Sequence, residues 1–145
     1  MNIYTIGFTK KTAEKFFEAL RSSGAKHLLD IRLSNNSQLA GFTKRNDLPY
    51  FLRHLVNIEY HESPIFAPEE SILKEYRKTS DWAEYERRYL ELIRQRKVEN
   101  HISSVLLEEG VVLLCSEAKP TRCHRRLAAE YLARIIPTKT EIVHL

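Results

Sequence analysis

VVLLCSEAKPTRCHRRLAAEYL, residues 111–132, joins the two strongest structural signals in the chain through a loop dense in chemistry. VVLLC is an unbroken apolar run of strand length with its β-branched residues first, and it reads as a strand buried on both faces. Thr121 or Arg122 is expected to open a helix whose apolar face is Leu127, Ala128, Tyr131, Leu132 and Ile135, and Pro137 ends it. A buried strand leading into an amphipathic helix is half of a βαβ crossover, the unit of a parallel sheet.

The remaining chain repeats the alternation. Asn2–Ile6 reads as a short strand turned by Gly7. From Thr12 a helical period puts Ala13, Phe16, Phe17 and Leu20 on one face, with Gly24 as its C-terminal cap. HLLDIR at 27–32 is a second buried strand and VNIEYHE at 56–62 a third, separated by a short helix that Asp47 is expected to cap. Helices follow near 69–78, after Asp81, which with Glu84 makes a capping box, and from about Asn100 to Gly110; EIVHL returns a last strand. The predicted fold class is α/β, a three-layer α/β/α sandwich around a mostly parallel central sheet, with residues 1–145 as one domain. Two segments stand apart. The polar stretch 33–47 is long for a compact domain and is expected to be functional or mobile. Trp82, Tyr85, Tyr89 and Leu92 form a helical stripe that reads as core or an oligomer interface rather than a base-stacking surface.

Composition narrows the function classes. Apolar residues make up 43% and charged residues 29% of the 145, as in a soluble globular protein. No run approaches a membrane span and MNIYTIGF lacks the regions of a signal peptide, so a cytoplasmic protein without a membrane partner is expected. Two cysteines are too few for a secreted disulfide scaffold and should be reduced. The net charge of +4 is mild, but residues 119–139 hold six Lys or Arg against Glu130 alone, a local field that favours anionic ligands.

The chemistry of the loop follows from its place in such a fold. Cys115 would end a central strand at the sheet's carboxyl edge, where open α/β sheets bind ligands, and the helix start beyond it offers free N–H groups to an oxyanion. Lys119, Arg122, Arg125 and Arg126 add charge. Cys123 in a first helical turn beside His124 and Arg125 should be the acidic, nucleophilic thiol, and Cys115 the shielded one. Each could equally be packing. Glu117 reads as an acid or base, or as a salt-bridge partner. Arg122 stands one place too late for a tyrosine-phosphatase loop counted from Cys115. A zinc site of Cys115, Cys123 and His124 is disfavoured, because adjacent residues on a helix point apart; no metal ligands are assigned and no cofactor is named. Across the sheet, Asp30 and Arg32 end the second strand on one face, as a catalytic acid and anion ligand or as an internal ion pair, and Tyr60 and His61 could line the same crevice.

YTIG at 4–7, LLDIR at 28–32 and LLCSEAKPTRCHRRLAAEYL at 113–132 resemble the family called domain of unknown function 488. The specific block is a strand ending in Cys-x-Glu, a loop with proline, then Cys-His-Arg opening a helix: Cys115, Glu117, Pro120, Cys123, His124 and Arg125. Asp30 and Arg32 match the family's Asp-x-Arg and Gly7 its first-turn glycine, whereas Phe8-Thr9 stands where the family usually has His-Ser. The resemblance implies a three-layer α/β/α fold and no settled activity. The leading expectation is a phosphate-bearing ligand, nucleotide or nucleic acid, held in a cleft with Cys123, His124, Glu117 and Asp30 as catalytic candidates and Arg32, Cys115, Arg122, Arg125, Gly7 and Tyr60 as ligand or anion contacts. Two other classes stay open. One is a non-catalytic nucleic-acid module using Lys44, Arg45, Arg87, Arg88, Arg94, Arg96 and Lys97; the other is an interaction protein, a homodimer included, built on Trp82, Tyr85 and Tyr89.

Overall fold

The computed structural model describes residues 1–35, 41–117 and 119–145. Residues 36–40, the middle of the polar stretch expected to be a functional or mobile loop, and Ala118 lie outside the described residues. Five strands, β1 (Asn2–Gly7), β2 (His27–Asp30), β3 (Glu59–Glu62), β4 (Val111–Cys115) and β5 (Glu141–His144), form one sheet in the order β3-β2-β4-β1-β5. Every neighbouring pair is parallel.

Period-two alternation in β4 assigns its side chains to two cores. Val112 and Leu114 pack with Ile6, Leu28, Phe16, Phe17 and Leu20 on one face, and Val111 and Leu113 with Ile3, Leu29, Tyr89 and Leu127 on the other. Burying each such aliphatic side chain contributes about 1.5–3 kcal/mol. Helix α1 (Ala13–Ser23) covers the first face together with α2 (Leu48–Phe51), which runs on as a π-helical turn, Leu52–Val56. The second face is covered by α3 (Glu70–Thr79), α4 (Trp82–Arg96), α5 (Ser104–Glu109) and α6 (His124–Ile135). The chain thus leaves β1 and β2 toward one face and β4 toward the other. With β4 between β2 and β1, its carboxyl end is the point where the crossovers diverge and a crevice opens.

Several local expectations need correction. Thr12 caps α1 and Gly24 closes it at φ 73°, as its sequence predicts. Asp47, however, makes no capping bond, because its own backbone is already helical. Asp81 Oδ1 accepts the Glu84 N–H at 3.2 Å, but the Glu84 carboxylate turns to Arg87 and Thr79 Oγ1 takes the Asp81 N–H, so the box is half-formed. Strands β2 and β3 are shorter than their apolar runs. Most consequentially, α6 begins at His124 rather than Thr121 or Arg122, which leaves Cys123 as its extended N-cap residue (φ −142°, ψ 141°).

Candidate functional site

That late helix start brings the two cysteines and the histidine together. With Cys123 extended and His124 helical, the adjacent side chains converge instead of pointing apart. Cys123 Sγ lies 2.9 Å from Cys115 Sγ, and His124 Nδ1 lies 3.6 Å from the same Cys115 sulfur. Both thiols are free, and all three residues are buried. His124 Nε2 is 2.7 Å from the Ile31 carbonyl. A carbonyl only accepts, so Nε2 carries a proton and Nδ1 is turned to the sulfur. The three donor atoms lie within 4.8 Å of one another, so the geometry that disfavoured a metal site, adjacent helical residues pointing apart, does not hold here, and they form a donor set of soft-metal type.

The electrostatics reverse the expected order of the thiols. The S–H of Cys123 donates to Cys115, and this, against burial, with the nearby His124 and the Glu117 N–H, holds the Cys115 thiol well below its ordinary value. Cys123 is pushed up, first by that same donated hydrogen bond and then by burial and the adjacent thiolate. Burial opposes protonation of His124, but the Cys115 thiolate and the Ile31 carbonyl outweigh it and raise the imidazole above its usual range. Cys115 is therefore the acidic sulfur and Cys123 its donor. The reason is that Cys123 caps the helix with its S–H spent on a neighbour, while the strand end of Cys115 meets three donors.

A cavity of about 390 Å³ opens over this cluster, and the six expected residues Arg32, Cys115, Glu117, Arg122, Cys123 and His124 line it. The other four expected site residues do not. Asp30 spends its carboxylate on Arg32, through Nε and Nη2 at 2.8 Å each, and on the Tyr60 hydroxyl at 2.6 Å. Tyr60 reaches the site through that bond alone, and His61 turns away to His27, 2.9 Å distant. Arg125 is fully buried and donates to Thr5 Oγ1 and to the Glu117 carbonyl, so it holds the loop rather than a ligand. Gly7 makes room for that carbonyl: a Cβ there would collide with the Glu117 oxygen and the Arg125 guanidinium. Arg32 differs from Arg125. It lines the cavity, its Nη2 also donates to the Thr43 carbonyl at 2.6 Å, and its Nη1 is buried with no hydrogen-bond partner among the described residues.

Sequence reasoning read the aromatic stripe of α4 as core but did not find that part of it also lines the cavity. Tyr76, Trp82 and Tyr85 line the cavity, the last two stacked at 4.8 Å, with Arg77 beside them. As the stripe's spacing predicts, Tyr85 and Tyr89 are buried in the core with Trp82 and Leu92 packed against them, and Tyr89 donates to the Phe66 carbonyl. The available signal was position, since Trp82 opens α4 and begins the stripe. The basic residues expected to form a nucleic-acid face are in part committed elsewhere. Arg87 pairs with Glu84 and Glu91, Arg45 with Glu62, and Arg96 donates to the Ile65 and Ala67 carbonyls.

An all-parallel, doubly wound α/β chain with a buried thiol–imidazole pair and a polar, charged cavity at its crossover switch is the class this geometry defines. The chain belongs to the family described as domain of unknown function DUF488, whose pattern matches residues 12–132. No curated protein and no solved structure matches it. No helix among the described residues is long and apolar enough to cross a membrane.

Proposed function

We propose that the cavity binds a phosphate-bearing ligand with a flat base, a nucleotide or one unit of a nucleic-acid strand, and that Cys115 is the group that reacts with it. The observation that carries this reading is one cavity lined both by a stacked Trp82–Tyr85 pair and by the three arginines Arg32, Arg77 and Arg122. Aromatic faces accept a base at about 1–3 kcal/mol of stacking. The guanidinium groups of Arg77 and Arg122 on the same wall suit phosphate oxygens. In this reading the Cys115 thiolate forms a bond to the electrophilic centre as the bond to the leaving oxygen breaks, and His124 Nδ1 delivers its proton to that oxygen. Glu117, exposed at the rim, is the base available to a water that resolves the adduct.

Iodoacetamide alkylation resolved by peptide mass spectrometry tests it, with AMP, adenosine and inorganic phosphate as separate arms. Because its pKa is lowered, Cys115 keeps its thiolate as pH falls through the ordinary thiol range and loses it only below. Its rate should therefore stay nearly flat from pH 9 to 6, whereas in the unfolded chain it drops about tenfold per unit below the free thiol's pKa. Cys123→Ala, which removes the donated S–H, should restore a pH-dependent rate. AMP should slow the reaction more than adenosine or phosphate does, and Arg122→Ala should weaken that protection about tenfold. Faster labelling of Cys123 than Cys115, or no protection by AMP at millimolar concentration, overturns the proposal.

A further inference from the structure

The amino end of β2 carries a second cluster that the cavity does not use. His27 stands opposite Glu59 in the parallel ladder of β2 and β3, and His61 lies two residues beyond Glu59, on the same face of the edge strand. His27 Nδ1 is 2.9 Å from His61 Nε2 and 3.7 Å from Glu59 Oε2, and the three donor atoms lie within 4.8 Å of one another. On its other side, His27 Nε2 is 3.2 Å from Glu109 Oε1 at the end of α5. That helix end is fixed to the strand, since the N–H groups of Lys26 and His27 both donate to the Gly110 carbonyl.

We propose that His27, His61 and Glu59 bind a divalent transition metal, zinc by preference, with Glu109 as the partner that orients His27. The donor types are those of three-ligand zinc sites, two imidazoles and a carboxylate. Bonds of about 2.0–2.1 Å in a tetrahedral arrangement separate neighbouring donors by roughly 3.3 Å, and the observed 2.9 and 3.7 Å straddle that value. The carboxylate of Glu109 can only accept, so it draws the proton to His27 Nε2 and leaves the Nδ1 lone pair for the metal, the carboxylate–histidine–metal relay. His27 is buried, but Glu59 is exposed and His61 half-buried on an edge strand. A fourth position is therefore open to solvent, beside a groove of about 580 Å³ that His27, Glu59 and Glu109 line together with Lys26 and Arg53. Those two cations favour an anionic fourth ligand.

Co²⁺ and Zn²⁺ titration of the full chain tests the site, by visible absorption and calorimetry. A Cys115→Ser, Cys123→Ser double variant is titrated in parallel, so that the thiol cluster at the opposite end of the sheet is silent. The expected result is one equivalent of Co²⁺ bound in the double variant without thiolate charge-transfer bands. His61→Ala should weaken it at least about 100-fold and Glu59→Gln about tenfold, while Glu109→Gln, which touches no metal, weakens it about 10–100-fold. If His61→Ala perturbs folding, Glu59→Gln carries the comparison, since its side chain is largely exposed. Loss of all binding in the double variant, or affinity unchanged by both His61→Ala and Glu59→Gln, overturns the proposal. Neither outcome bears on AMP protection of Cys115, which is read on the native thiols.

Discussion

The two ends of β2 carry polar clusters three residues apart in sequence and opposite in construction. At the carboxyl end, Asp30 and Arg32 are sealed from water, and the carboxylate accepts two guanidinium hydrogen bonds and one from Tyr60. At the amino end, His27 sits against Glu59 and Glu109, both of which are more than half exposed. The contrast comes from neighbours. Both ends are flanked by β4, but beyond Asp30 the Thr43 carbonyl and the Phe8 ring close over Arg32. Around His27 the polar partners come from the edge strand β3 and the short α5. A sealed ion pair ties stability to geometry, because neither charge has water to fall back on. An open cluster can change its occupant, a proton or a metal, at little structural cost.

Breaking the sealed end should produce the largest effect. Asp30→Asn keeps the shape, removes the charge and strands Arg32, and should cost about 3–5 kcal/mol of unfolding free energy in a urea titration. A loss below about 1 kcal/mol would mean that water reaches Arg32 and that the two ends do not differ. Tyr60→Phe probes the same pair more gently. It deletes one of the hydrogen bonds to the carboxylate and should cost about 1–2 kcal/mol, less than Asp30→Asn because the charge stays compensated. At the open end Glu59→Gln should shift metal-free stability by no more than about 0.5 kcal/mol, since water replaces an exposed carboxylate's contact with His27. A cost near that of Asp30→Asn would show that the amino end is a structural ion pair and not an exchangeable site.

Local signals were legible wherever one segment held all the information. VVLLC is β4 to the residue, Thr12 and Gly24 bound α1, and Pro137 follows the last helix. The parallel three-layer architecture also followed from alternating runs, since continuous apolar strands need cover on both faces. Six of the ten expected site residues line the cavity at Cys115 because strand ends and helix starts meet at a crossover switch, a rule of topology that sequence order implies. Legibility failed where an outcome hung on one residue of register. A helix starting at 122 would have splayed Cys123 from His124; starting at 124 it joins them, and the acidic thiol becomes the other one.

Residue type and periodicity by themselves determined which segments are strands, which faces are apolar, and that a basic, thiol-bearing loop follows the central strand. Those are properties of neighbours along the chain, and short-range sterics and apolar burial enforce them. Only the tertiary structure decided what each charged group is for. Arg125 and Arg32 are the same residue type near the same sheet edge, yet one clamps the Glu117 carbonyl and the other spends its guanidinium on Asp30 and the Thr43 carbonyl. His61 and Tyr60 are adjacent, yet alternation sends them to different faces and different clusters. A charge's role depends on which donors and acceptors arrive from distant segments and on how much water they displace, and neither quantity is written in local sequence.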